Sequence, residues 1–196
     1  MEEKNLYIIA GCNGAGKTTA SFTILPDILN CKEFVNADEI AKGISPFQPE
    51  KVAIEAGRIM LNRINDLLEK NENFAFETTL ASKSYRHTIL AARKKNYTVS
   101  LLYFWLNSVD LAKERVKNRV LEGGHNIETT VIERRYINGI TNLFNIYLPI
   151  VDKAFIFDNS EGTHILIAEK ENFDNFKIVD NEKYKQFKYY YDNRKQ

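Results

Sequence analysis

Apolar positions along the chain fall into two patterns: short unbroken runs, and stretches with three-to-four spacing. These are the signatures of buried strands and amphipathic helices. Leu6–Ala10 is a run ended by glycine, which predicts a strand buried on both faces. Thr18 to about Leu29 predicts a helix bent or ended by Pro26, and Phe34–Val35 a short second strand. From Glu50 to about Lys70 the residues Val52, Ala53, Ala56, Ile59, Met60, Ile64 and Leu67 keep helical spacing. Asn73–Glu77 predicts a strand and Ser82–Lys95 a helix. Tyr97–Leu106, aromatic and β-branched through most of its length, predicts another strand. Ser108 reads as the N-cap of a helix to about Val120. Gly123–Asn126 breaks that helix, and Ile127 to about Tyr147 resumes the pattern. Ala154–Phe157 and His164–Ala168 are strands joined by the hairpin-like turn Asn159–Gly162, and Asn181 onwards predicts a terminal helix. Strands alternating with helices imply parallel pairing through crossovers. The expected architecture is α/β: three layers around a mostly parallel central sheet. No repeat or Pro/Ser-rich linker interrupts the chain, so residues 1–196 are expected to form one domain.

Composition narrows the class without naming the chemistry. Hydrophobic residues make up 44% and charged residues 27%, enough apolar material for a single core. Lys+Arg is 27 against Asp+Glu 26, a net charge of +1, so no broad basic footprint awaits nucleic acid or an anionic membrane. The tail Tyr184–Lys195 interleaves aromatic and basic residues; stacking on nucleic acid and packing on the sheet both fit it. Two cysteines exclude a disulfide framework, and His87, His125 and His164 lack ligand spacing, so no structural zinc is expected. The apolar runs are too short for a bilayer, and the acidic start Met1–Asn5 predicts no signal peptide. A reduced, cytoplasmic, soluble protein is the expectation.

The chemistry starts at Gly11–Thr18, which matches GxxxxGK[ST] between a predicted buried strand and a helix. Glycines let the loop turn so that successive backbone N–H groups face one anion, and the helix dipole adds positive potential. Gly11, Cys12, Asn13, Gly14, Ala15, Gly16, Lys17, Thr18 and Thr19 are therefore the expected nucleotide-binding residues. Lys17 can reach the β- and γ-phosphates, and the Thr18 hydroxyl can ligate Mg²⁺. The positive field can also lower the pKa of Cys12, which nonetheless reads as a tolerated loop residue. Asp38, just past the second strand, suits a general base or metal ligand, or else caps a short helix. Glu77 stands at the end of the third strand, where open α/β sheets place ligand-binding residues. Arg115 and Arg119 are four apart, and Arg134–Arg135 lie beyond the Gly123–Gly124 break. The segment from about 115 to 135 reads as a helical lid whose arginines close over phosphates, or as ordinary solvated arginines. Tyr103–Leu106 ends without the acid of a Walker B segment.

The ordered set of Gly11–Thr19, Asn36–Glu39, Phe76–Thr79, Arg115-x-x-x-Arg119, Gly123–Ile127, Arg134–Tyr136 and Phe157–Ser160 resembles the zeta toxin family of small phosphate-loop kinases. The resemblance implies an ATP- and Mg²⁺-dependent phosphotransferase acting on a hydroxyl of a UDP-N-acetyl amino sugar, restrained by a small antitoxin protein. It implies Asp38 as the catalytic base, Glu77 with Thr78 on the acceptor side, and Arg119 as one clamping arginine. The second clamp falls on Arg134 or Arg135, with Arg135 favoured. The alternative from the loop alone is a nucleotide-binding switch or NTPase module without a small-molecule acceptor.

Overall fold

The computed structural model describes residues 3–124, 126–172 and 175–193. Seven strands form one sheet in the order β2-β3-β1-β4-β5-β6-β7. They are β1 (Lys4–Gly11), β2 (Glu33–Val35), β3 (Phe74–Thr78), β4 (Tyr97–Trp105), β5 (Lys153–Asp158), β6 (Ile165–Asn172) and β7 (Asn175–Ile178). The first five in that order run parallel, while β6 and β7 return antiparallel. The parallel strands are buried on both faces, as their unbroken apolar runs require, and supply Leu6, Ile8, Phe74, Phe76, Leu101 and Phe104 to the core.

The helices α1 (Lys17–Thr23), α2 (Ala37–Ile44), α3 (Ala53–Lys70), α4 (Tyr85–Lys94), α5 (Val109–Leu121), α6 (Thr129–Asn142) and α7 (Asn181–Asp192) connect or cover these strands. Pro26 acts as the sequence predicts: α1 stops at Thr23 and widens into a π-helical turn over Ile24–Ile28. Ser108 caps α5, its Oγ accepting from Leu111 N–H at 3.1 Å. Two elements escape the periodicity reading. Helix α2 is short and is started by a side-chain cap, and β7 is an exposed four-residue edge strand recruited by pairing with β6.

The register aims the chemistry. Ile9 of β1 lies opposite Glu77 of β3, so that carboxylate arrives at the strand ends beside the phosphate loop. Helix α6 is locked onto the sheet by Tyr136, whose hydroxyl accepts from Trp105 Nε1 at 3.0 Å and donates to the Leu106 carbonyl. Burial pushes that phenol far above its ordinary pKa, which keeps it a neutral donor. No helix among the described residues is long and apolar enough to cross a membrane.

Candidate functional site

The loop between β1 and α1 is built from its glycines and one distant asparagine. Gly16 has φ +78°, and a Cβ there would lie 2.5 Å from Asn159 Nδ2. That amide instead closes onto the loop, donating to the Ala15 carbonyl at 2.9 Å. Gly14 lies against Arg115, whose Cβ would be 3.1 Å from a Cβ at position 14. Lys17 is buried, its ammonium donating to the Cys12 carbonyl at 3.0 Å and pairing with Glu77 Oε1 at 3.5 Å. Cys12 is buried in the loop. The Lys17 charge does pull its thiol down, but burial dominates and pushes it up to about 11, so it is an inert thiol.

Glu77 is the polar centre of the site. Its Oε2 accepts from the Thr18 hydroxyl at 2.8 Å and from Asn36 Nδ2 at 2.9 Å. Asn36 works in two directions, because its Oδ1 also accepts from the N–H groups of Asp38 and Glu39 at the start of α2. Asn36, not Asp38, is therefore the N-cap, and the capping alternative for Asp38 is set aside. Asp38 is exposed and looks into the cleft from the first turn of α2. Asn36 stands between a strand and a short helix, a position where an asparagine suits an N-cap.

Arg135 closes the opposite side. Its guanidinium donates to Asn13 Oδ1 of the loop at 3.2 Å. Burial lowers its pKa from the usual guanidinium value, which the Asp38 carboxylate partly opposes. The stripe that binds α6 to the sheet runs through Ile132, Tyr136, Gly139 and Ile140. At about 100° per residue, Arg135 falls at the margin of that stripe and Arg134 opposite it. Arg134 is exposed.

A cavity of about 270 Å³ gathers Asn13, Lys17, Asp38, Glu77, Thr78 and Arg135 among its walls. Asp38 and Arg135 also line a second cavity of the same volume, which continues past Ala41 and Pro49 to Ile127. Arg119 is not among these walls. It lines an outer cavity of about 1050 Å³ with Lys42, Phe47, Gly123 and Gly124, and its carbonyl accepts the Gly124 N–H at 2.8 Å. His125 and the tail residues 194–195 lie outside the described residues. The described part of the tail is α7, an amphipathic helix that buries Phe187 against Tyr103 and Trp105.

The site suits Mg²⁺ in one respect. Among the described residues no group of three or more His, Cys, Asp or Glu is arranged to hold a metal. The Thr18 hydroxyl, bonded to the Glu77 carboxylate, and Asp38 on the same cavity would offer a few oxygens to an ion whose other ligands came from phosphates and water.

The zeta toxin family profile matches residues 1–171. A Haemophilus influenzae protein described as uncharacterized is 31% identical over 137 residues, 69% of this chain and 94% of that protein. A chain of the AvrRxo1-ORF1:AvrRxo1-ORF2 crystal structure with sulphate ions superposes with a TM-score of 0.75 at 15% identity, over 94% of this chain. The same complex with ATP gives 0.73. This chain spans 63% of that longer chain. A chain of the PezAT chromosomal toxin–antitoxin system of Streptococcus pneumoniae gives 0.62 at 16% identity, covering 84% of this chain and 71% of that one. The fold is that of the phosphate-loop kinases, and the chain belongs to the zeta toxin family.

Proposed function

We propose that this protein transfers the γ-phosphoryl group of ATP to a hydroxyl of a small molecule, with a UDP-N-acetyl amino sugar as the acceptor class. The observation that carries the reading is one cavity walled by Lys17, Asp38, Glu77 and Arg135 at the mouth of the phosphate loop. A loop alone binds a triphosphate. A base and a guanidinium placed across the same small space add what transfer to an acceptor needs.

In this mechanism the loop N–H groups and Lys17 hold the β- and γ-phosphates. Asp38 accepts the proton of the acceptor hydroxyl as its oxygen bonds to the γ-phosphorus, the bond from that phosphorus to the β–γ bridging oxygen breaks with its electron pair leaving on ADP, and Arg135 neutralises charge on the transferring group. Mg²⁺, held through Thr18 and the phosphates, would neutralise the developing charge. Glu77 orients the Thr18 hydroxyl and thereby does part of the work of the missing Walker B acid. The resemblance places Glu77 with Thr78 on the acceptor side, and the carboxylate also borders that space. Arg119 joins the clamp when the segment around Gly123 and Gly124 folds inward. The toxin–antitoxin system to which the Streptococcus pneumoniae relative belongs supports a small antitoxin as partner.

The test is incubation with γ-labelled ATP, Mg²⁺ and UDP-N-acetyl amino sugars, followed by separation of products. Label on the sugar nucleotide supports the reading. Label released only as inorganic phosphate, whatever acceptor is added, replaces it with the NTPase alternative.

A further inference from the structure

Residues 158–160, just after β5, tie four parts of the molecule together beside the phosphate loop. Asn159 N–H donates to the Trp105 carbonyl at 2.9 Å, and its side chain donates to Ala15 at 2.9 Å. The Ser160 carbonyl accepts from Arg115 at 2.8 Å, and its Oγ accepts from Asn107 N–H at 2.8 Å. Asp158 is the hub. Only 3% exposed, it takes the Ser160 N–H at 2.9 Å and the Ser160 hydroxyl on Oδ1, and Lys183 Nζ at 2.5 Å on Oδ2. Burial alone would push this carboxyl up; Lys183 and Ser160 outweigh it and hold it below the usual carboxylate range.

Lys183 belongs to α7, beyond the residues matched by the family profile. A surface pair gains little, but a carboxylate this buried that loses its cation is left uncompensated. The placement of this hub decides what it can do. Asp38, Glu77 and Arg135 lie where β2, β3 and α6 approach the loop, so the γ-phosphate end of a bound triphosphate faces them. A linear triphosphate then carries its nucleoside toward the β4–β5 side, where Arg115 and residues 158–160 meet the loop. Asn159 Oδ1 is buried there and accepts no hydrogen bond among the described residues. Helix α7 walls the same side. Its Tyr189 and Tyr190 face Asn107 and Ser108 across a cavity of about 670 Å³.

We infer that Lys183 is a positioning residue for the nucleoside half of the bound nucleotide: acting through Asp158, α7 holds residues 158–160 against the loop. This rests on the nucleotide reading of Gly11–Thr18. Titration of the full chain with ATP·Mg²⁺ and, separately, with inorganic tripolyphosphate·Mg²⁺ tests it. Tripolyphosphate engages the loop without a nucleoside, which separates the two halves of the site. Lys183→Gln should weaken ATP roughly tenfold and leave tripolyphosphate within about twofold, and Lys183→Arg should restore ATP. Ser160→Ala removes the hydroxyl between Asp158 and Asn107 without stranding a charge, should show the same selective loss, and decides the matter if the Gln variant does not fold. An equal loss of both ligands, or of neither, in the variants that fold overturns the inference. Wild-type protein that binds neither ligand overturns the nucleotide reading beneath it.

Discussion

Glu77→Gln is the substitution that divides the site most sharply. In the native protein one carboxylate serves three donors: Thr18 Oγ1 at 2.8 Å, Asn36 Nδ2 at 2.9 Å and Lys17 Nζ at 3.5 Å. A glutamine has one acceptor oxygen. Whichever way its amide turns, an NH₂ group faces either the Thr18–Asn36 pair or the Lys17 ammonium, donor against donor. One charge-assisted hydrogen bond is lost, worth about 1.5–3 kcal/mol, and Lys17, only 7% exposed, keeps the Cys12 carbonyl alone. Taking about 2 kcal/mol for the ligand-free protein, the melting temperature should fall by roughly 4–8 °C for a chain of this size. In turnover the loss should be larger, because Thr18 must present its oxygen toward the metal. A hundredfold fall in kcat corresponds to about 2.7 kcal/mol of transition-state stabilisation. The assay pairs thermal melting with calorimetric titration of ATP in Mg²⁺ and in EDTA. Native protein should gain ATP affinity on adding Mg²⁺, and Glu77→Gln should gain much less. An unchanged melting temperature together with an unchanged Mg²⁺ effect would refute the reasoning. An effect confined to the acceptor KM would move the carboxylate to the acceptor side.

The other predictions are simpler. Asp38→Asn should cut transfer by about 10²–10⁴ while ATP still binds, and melting should stay put because Asn36 carries the helix cap; normal transfer removes Asp38 as the base. Arg135→Ala should lower kcat by about 10²–10³, Arg119→Ala by less, and exposed Arg134→Ala hardly at all; equal small effects in a transfer assay would make all three surface residues. Gly16→Ala should lose nucleotide binding and stability together in titration and melting, since its Cβ needs the 2.5 Å already held by Asn159 Nδ2 at a left-handed φ. The Asp158–Lys183 pair carries a pH signature. The folded carboxyl lies below its unfolded value, so its contribution is complete above the ordinary aspartate pKa of about 4 and fades as pH falls through the folded value. The melting gap between native protein and Lys183→Gln should therefore hold above the ordinary aspartate pKa of about 4 and close as pH falls below it, and a gap that stays constant on acidification would mean that Asp158 is not the partner that matters.

The phosphate loop was legible in the sequence because everything it needs is contiguous: a buried strand, eight residues with glycines placed for the turn, and a helix. The same holds for the Ser108 cap and the Pro26 stop, which are interactions within a few residues. Periodicity also announced the parallel strands, since burial on both faces writes itself as an unbroken apolar run. It failed at β7, where an exposed four-residue edge has no pattern of its own and exists through its pairing with β6. It failed again at α2, whose start depends on Asn36, a side chain already committed to Glu77 forty-one residues away. Roles that depend on direction were beyond any one-dimensional reading. Arg134 and Arg135 are neighbours of one type, and only the Tyr136 anchor that sets the roll of α6 turns one toward Asn13 and the other to solvent. Asn159 reaches Ala15 across 144 residues, and Lys183 reaches Asp158 from a helix that the periodicity placed but could not aim. Local spacing selects elements because hydrogen bonding and side-chain direction repeat within a turn or a pleat. The meeting of distant polar groups is decided by sheet order, register and helix roll, which the packing of the whole core sets.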